Sequence, residues 1–545
     1  MPMMGRQVFK TLWRGLTDSP DMYGSFPGSC SFLTNVQPNR GVKGAMIARG
    51  GHTPVTTLSG LNTPSFISLL GLSGTYLFGM CVSQDYPGYE VPFLYNLETN
   101  TFLSIANVTA NNIPQATSPN GSWTPPTYTQ VGAYILITHP GAYGSNVFFW
   151  VDLTTGSPVW NSGNLSINPL PGFPTIVAQY YDRAYFVVGN AIHYSDAEAP
   201  LQRTLDTQFL VTGDNLPITA MGGLPLGTGQ EGVIQSLMVF KQLQIWQITG
   251  DDSLGTLALN ELSQATGCQA QNTLTPVPEG LVFLAPDGLR ILEVNGNLAF
   301  YGAQAQNLIT QELAQSDQPN FILAFLNCTD FTRAVAAYTG NIFRISLPTV
   351  YLGVSYGYAD FWFDTIDRVW VGPHTFSYNA LVASDTGFYM ASALVNGTLF
   401  ACPFYPSLDT VYEDNGSPYQ VNMKTTWFNL PDMSGNAYSI QQLLLECPMT
   451  GVEPSYSVNI LNERGTLLGQ GVIDTQGTLG VWGTMVWGDF TWGSPELPLR
   501  RQPLNMDNVM VAQGFMAQIT QAATDTFIVR ELEMKARELG YEVPA

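Results

Sequence analysis

The sequence predicts an all-β protein: a β-propeller of about six or seven blades, joined to a β-sandwich-like platform. The first observation is a recurring phrase, an aromatic strand followed by Asn or Asp, a short polar turn and a second apolar strand. It reads FLYNLETNTFLSI at 93–105, FFWVDLTTGSPVW at 148–160 and FWFDTIDRVWVG at 361–372. Asn96, Asp152 and Asp364 hold the same place in the three copies. A side chain of this type bonds its own backbone two residues on and starts a turn. The second observation is a run of strand-rich segments at 74–82, 131–139, 183–195, 236–250, 279–294, 333–347 and 380–394. Two-strand units repeated over hundreds of residues indicate a repeat architecture built of sheets. The third is a change of phrase after residue 405, where shorter strands alternate at period two between Gly and Pro turns, as in a sandwich.

In chain order, residues 1–60 read as an extended arm rich in turn formers, with Arg40, Lys43 and Arg49, joining the platform. Residues 61–405 form the propeller, with tight turns at Pro286-Asp287-Gly288 and Thr339-Gly340-Asn341, where Gly supplies positive φ. One helical window interrupts it at 302–316, with Leu308, Ile309 and Leu313 on one face. Residues 406–545 form the sandwich. Its last phrase, TFIVRELEMKARELGY, is helical by composition. However, Phe527, Val529, Leu532 and Met534 make no clean helical stripe, and the reading is a strand ending near Lys535.

Hydrophobic residues are 45% of the 545, enough for a large core, whereas charged residues are 11%, less than half the usual share of about 25%. Ser, Thr, Asn, Gln and Gly replace them, a surface suited to flanks covered by partners or by copies of the chain. The net charge is −21, and no Lys or Arg occurs between residues 50 and 182. Tight nucleic-acid binding needs a basic stripe to displace counterions from phosphates, so specific DNA or RNA binding is excluded. Six isolated cysteines, Cys30, Cys81, Cys268, Cys328, Cys402 and Cys447, form no CxxC pair; they read as buried thiols rather than zinc ligands. The N-terminal residues show no apolar signal region, and no apolar run of about 18 residues suggests a membrane span.

Several motifs weigh less than they first suggest. Residues 227–232, GTGQEG, match GxGxxG, but the strand-like VIQSLMVF follows where a dinucleotide site needs a helix. His52, His139, His193 and His374 have no metal-ligand spacing. The carboxylate pairs Asp251-Asp252, Asp364 with Asp367, and Glu413-Asp414 are glycosidase-like candidates, though Asp364 already has a turn role and the other two pairs sit in loops where solvated carboxylates are ordinary. Ser384-Asp385-Thr386-Gly387-Phe388 is an incomplete match to the sialidase box. Trp482, Trp487 and Trp492, each followed by Gly, lie five apart, which is neither a helix nor a strand period. They are candidates for packed indoles in a kinked ribbon or for interface anchors.

The segments AIHYSDAEAP (191–200), ITAMGGLPL (218–226), SLMVFKQLQIWQITGD (236–251) and GCQAQNTLTPVPEGLVFLAPDGLRIL (267–292), with the closing ELEMKARELG, carry a resemblance. In order and style the chain resembles the tail tube, or nozzle, proteins of short-tailed bacteriophages, also called packaged-DNA stabilisation proteins. The motifs are diffuse and contain no catalytic residues to transfer. The resemblance implies a homohexameric ring below the portal and adaptor rings of a virion tail, a platform around the channel, and propellers projecting from it. It also implies docked fibres, spikes or a needle, and a genome retained and then passed out without specific binding. On this reading the chain is no enzyme and has no cofactor, and its lumen is dominated by Asp, Glu, Ser, Thr, Asn and Gln. The alternatives are a glycan-cleaving propeller and a monomeric carbohydrate- or protein-binding module.

Overall fold

The computed structural model describes residues 6–13, 15–16, 29–57, 66–82, 90–103, 125–140, 147–225, 234–302, 325, 327–393, 398–406, 412–425, 428–429, 437–448, 456–462, 465–473, 499–504, 510–512, 514–522 and 527–540. Six four-stranded antiparallel sheets, and a seventh set of four strands that belongs to a larger sheet, follow one another round a ring. Blade one is Phe66–Ser73, Tyr76–Val82, Glu90–Asn96 and Thr101–Leu103; blade two is Thr127–Val131, Tyr134–Thr138, Phe148–Asp152 and Asn161–Gly163. Blade three is Ile176–Tyr180, Arg183–Val188, Ala191–Tyr194 and Phe209–Val211; blade four is Ala220–Pro225, Ile234–Phe240, Ile245–Thr249 and Ala258–Ser263. Blade five is Thr275–Val277, Gly280–Ala285, Gly288–Glu293 and Leu298–Phe300; blade six is Val335–Thr339, Ile342–Tyr351, Val354–Asp364 and Val369–His374. Each of the seven strand-rich segments read from the sequence falls in a different blade.

The ring closes by exchange. Blade seven takes Tyr378–Ala383, Gly387–Ser392 and Thr398–Pro403 from one end of the propeller sequence, and its outer strand, Thr53–Thr57, from the other. The first strand of blade seven then lies against that of blade one. Residues 53–57 sit in the stretch read from sequence as arm. TPVTT carries no strand pattern of its own, and its partner lies more than 300 residues away.

The recurring phrase is the link between third and outer strands. Asn96 Oδ1 accepts from the N–H groups of Glu98 (2.9 Å) and Thr99 (3.1 Å). Asp152 Oδ1 accepts from Thr154 N (2.9 Å), and Asp364 Oδ1 from Ile366 N (2.8 Å) and Asp367 N (3.1 Å). One side chain thus terminates a strand and aims the next in blades one, two and six.

The inner strands of the blades are largely buried on both faces, so they are nearly continuous apolar runs whose alternate residues serve opposite neighbours, whereas fourth strands such as Phe209–Val211 and Ala258–Ser263 are half-exposed. In blade one, Leu77, Cys81 and Phe93 pack towards Ala380 and Leu399 of blade seven, whereas Phe78, Met80 and Leu94 pack towards Ile135, Phe149 and Trp160 of blade two. Similar apolar seams join blades two to three, three to four, and four to five, the last through Phe240 and Phe283 with ring centroids 4.9 Å apart.

The platform is a sandwich of two sheets, each taking a strand from the N-terminal arm. One sheet contains Arg6–Leu12, Glu531–Gly540, Ala437–Pro448, Leu499–Leu504 and Met510–Ala512. The other contains Ser29–Thr34, Gln420–Thr425, Gly514–Ala522, Tyr456–Leu461 and Leu467–Ile473, and runs on into blade six through the Leu33–Gly372 pairing. Their inner faces share one core, with Leu443, Leu445, Leu532 and Met534 facing Val421, Met423, Val458 and Ile519. The final strand extends to Gly540, five residues beyond the end expected near Lys535. Its apolar pattern changes phase at Arg530, between the short strand Ile528–Val529 and Glu531–Gly540, and this break confused both helical and strand periods. Beyond Gly302, the expected helical window lies outside the described residues, and among those that are described no α-helix occurs.

Candidate functional site

In a four-stranded meander, the turn between first and second strands and the turn between third and fourth open at the same end. Because the inner strands all run one way round the axis, these turns gather on one face of the ring. Arg183 of blade three lies 3.8 Å from Asp252 of blade four there, and Thr339 Oγ1 of blade six donates to the Ser384 carbonyl of blade seven (2.7 Å). The same turns place Glu98, Asp152, Asp182, Glu198, Asp251, Glu279, Glu293, Asp367 and Asp385 on that face, at least one from every blade and none of them buried.

Several of these carboxylates are satisfied by neutral donors, which leave their charge intact. Asp152 accepts from the Thr154 hydroxyl (2.7 Å) and amide, and those bonds hold its carboxyl below the usual range. Asp251 accepts from the Ser253 hydroxyl (2.5 Å) and amide (2.9 Å) while capping a 3-10 turn, with the same result. Asp196 is pushed up by partial burial, but bonds from Thr204 and Gln208 outweigh this and hold it low. Asp152, Asp196 and Asp251 therefore stay ionised further into the acid range than ordinary carboxylates.

The seven propeller cations do not balance it. Arg344 and Lys241 are fully buried against Asp360 and Asp214. Arg203 is buried and donates to the carbonyls of Leu205, Asp206 and Pro169. Arg183, also buried, donates to the Ser195 carbonyl (2.8 Å). Arg290 pairs with Asp287 and lies over Phe300, and Arg333 lies over Tyr358. Only Arg368 is exposed among the described propeller residues. Arg40 of the arm reaches blade six, donating to the Gly340 carbonyl (2.9 Å) and lying 3.5 Å from Asp364.

The residues singled out in the sequence are dispersed. Asp252 accepts from Tyr194 Oη (3.0 Å), and Asp364 serves its turn, while partial burial and then the charge of Asp364 raise Asp367. Ser384 to Gly387 is the turn of blade seven, where Ser384 Oγ accepts from Gly387 N (3.2 Å). His139 contacts buried Glu90 (3.0 Å), and His193 lies beside Phe209. All six cysteines are free; five are buried and Cys328 is half-buried. Among the described residues no cluster of three or more His, Cys, Asp or Glu is disposed to hold a metal ion. The GTGQEG loop and Trp482, Trp487 and Trp492 lie outside the described residues.

One constellation escaped the sequence reading: a buried charge network where blades six and seven meet the arm. Arg49 donates to both oxygens of Asp414 (3.0 and 2.6 Å), and Arg344 to both oxygens of Asp360 (3.0 and 2.7 Å). His52 bridges them. It takes a bond from Arg344 at Nε2 (3.0 Å), which leaves Nδ1–H to donate to Asp414 (2.6 Å), and it stacks on Phe376 at 3.8 Å. Burial and the two guanidinium groups lower His52 to about 3, so it is neutral. Burial pushes Asp414 up, but Arg49 and His52 more than reverse this and hold it far below the usual range. Tyr378 Oη donates to Asp360 (2.6 Å), and His374 Nδ1 accepts from Asn35 N (2.9 Å). The available signal was a charge inside an apolar strand, as in IFRISL and YADFWF, where burial demands a partner.

No family model matches the chain, and no curated protein matches it in sequence. Among solved structures it is similar to the WD40 β-propeller domain of Doa1. The two are 8% identical with a TM-score of 0.36, over 64% of this chain and 97% of that one. The class defined by the strand order itself is a seven-bladed propeller closed by an N-terminal strand and carried on a β-sandwich.

Proposed function

We propose that this chain is a tail nozzle subunit of a short-tailed bacteriophage. Six copies would form a ring that extends the DNA channel below the portal and adaptor, retains the genome and guides its ejection. The observation that carries the reading is the disposal of the propeller's cations. Six of its seven Lys and Arg are drawn into its own hydrogen bonds and ion pairs, while its turn face stays anionic. Such a surface repels a polyanion over a Debye length, about 8–10 Å at ordinary salt, and offers few sites at which counterion release could hold it.

The other thirteen of the 20 Lys and Arg lie in the arm and platform. Arg49, Arg40, Arg530 and Lys535 are held by partners within the chain; the proposal puts the others in contacts between copies and with adjoining rings, where carboxylates can meet them, and leaves the bore to polar uncharged and acidic side chains. Docked fibres, spikes or a needle complete the assembly. In the carboxylate pairs that a glycan-cleaving propeller would use, Asp251, Asp364 and Asp414 are engaged in turns or ion pairs, which favours the nozzle reading.

Native mass measurement with and without an adaptor ring tests the assembly, with six copies of the 59.4 kDa chain expected. A gel-shift titration at about 50 mM salt tests the surface, because cation-poor proteins should not retard duplex DNA even there. A chain that stays monomeric beside the adaptor, or that binds DNA in a steeply salt-dependent way, would overturn the reading.

A further inference from the structure

Blade six contains a ribbon that the propeller does not need. The second and third strands of the other blades run four to seven residues, whereas Ile342–Tyr351 has ten and Val354–Asp364 has eleven. The first strand of the blade pairs only with 342–346, and the fourth only reaches 360–364. Residues 347–359 therefore overrun the sheet by about five residues per strand, roughly 16 Å. The base of the ribbon is braced. Thr329 N donates to the Pro348 carbonyl (2.9 Å), and Tyr351 Oη donates to the Ser31 carbonyl (2.7 Å) with its ring edge-on to Phe32.

The tip is unlike an ordinary solvent-facing turn. Val350, Leu352 and Val354 are 37%, 47% and 49% exposed. Leu352 and Gly353 have φ of +48° and +80°, a two-residue turn that favours Asn or Asp before Gly. A leucine held left-handed and still exposed gains no packing for its strain, and such outliers point towards function. From Ile345 to Ala359 there is no charged residue or histidine. Behind the tip Tyr351 is buried against the arm, while Tyr356 and Tyr358 are half-buried, with the Arg333 guanidinium 4.5 Å over the Tyr358 ring. Apolar tip, tyrosine collar and then cation is the order in which side chains meet a lipid–water boundary.

We propose that this hairpin tip inserts into a lipid surface. The register decides between a bilayer and a protein. Val350 lies opposite Ser355 and Val354 opposite Tyr351, so the two valines project from opposite faces of the ribbon, with Leu352 at its end. One flat partner cannot cover all three, but immersion in a fluid apolar layer does. The three side chains also expose far less than the roughly 800 Å² per partner of a stable protein interface. The inference stands apart from the nozzle reading, since it needs only this ribbon on the folded chain.

The test is co-flotation of the full chain with phosphatidylcholine vesicles, and emission of the Leu352→Trp variant with and without them. The wild type should float, largely independent of salt, and less well with anionic vesicles because the chain carries −21. Leu352→Asp should weaken flotation at least tenfold, and Trp emission should shift to the blue on adding vesicles. Leu352→Asn separates insertion from strain, because Asn suits the left-handed turn: it should unfold at a higher temperature and yet float poorly. Failure of the wild type to float overturns the proposal, as does unchanged flotation of both Asp and Asn variants. A blue shift that follows protein concentration without vesicles, with a doubled native mass, overturns it in favour of contact with a second copy.

Discussion

The seam between blades one and seven and the seam between blades six and seven do the same mechanical job with opposite chemistry. The first is apolar, with Ile67, Leu77, Phe93, Ala380 and Leu399 packed together. The second buries Arg344, Asp360, His52 and Tyr378 and passes through Asp414 to Arg49. Apolar packing stabilises in proportion to area and is tolerant of which surface it meets. A buried ion pair contributes little net stability, but it strongly penalises any arrangement that leaves one partner alone. The difference teaches that the ring is held by packing, whereas the place where arm and platform attach to it is chosen by charge.

Arg344→Met should break that contrast most, by leaving Asp360 charged and unpaired in the interior. A loss of about 3–5 kcal/mol is expected in denaturant unfolding, and Arg344→Met with Asp360→Leu should recover most of it. Equal losses in single and double variants would show that the two seams do not differ in kind. Leu77→Ala in the apolar seam should lose about 2–4 kcal/mol through its cavity, with no second substitution that restores it by charge.

Acid should act on the polar seam before the apolar one. The unfolded chain protonates His52 near 6.5, whereas the folded chain does so only near 3. Between those values the unfolded state binds more protons, so stability falls as pH falls, by up to about 1.4 kcal/mol per unit for one such group. Asp414 adds to the loss further down, since a depressed carboxyl contributes stability above its unfolded value of about 3.9 and loses it below. Melting temperatures from pH 8 to 4 should be flat and then drop below about 6.5, with a shallower drop in His52→Gln. The smallest effect is expected at the turns: Asn96→Ala removes two bonds at an exposed site and should lose about 0.5–1 kcal/mol, measured by the same unfolding curves.

Legibility followed the range of the interaction that shapes each element. The Asx turns at Asn96, Asp152 and Asp364 were readable because donor and acceptor are two or three residues apart. The seven hairpin-bearing segments were readable because burial on both faces writes long apolar runs. Thr53–Thr57 was not, because a polar five-residue strand acquires its identity from Thr398–Pro403. The joint was not readable as a unit either: His52, Arg344 and Asp414 are separated by hundreds of residues, although Arg344 and Asp360 were conspicuous as charges within apolar strands. The acidic turn face was half visible. Its charge is in the composition, but only the common direction of the inner strands collects it at one end.

By itself the sequence determined the repeat, its turns, its excess of carboxylates and the change to a second sheet architecture, since local periodicity and composition carry all four. Tertiary structure alone decided that the blades number seven, that the ring closes with an N-terminal strand, and that its cations are spent internally. It also decided that blade six carries both the junction to the platform and a hairpin that overruns its sheet and exposes an apolar tip. The physical reason is that closure and charge pairing depend on which distant strands become neighbours, and strand register across a sheet is set by packing rather than by the residues alongside.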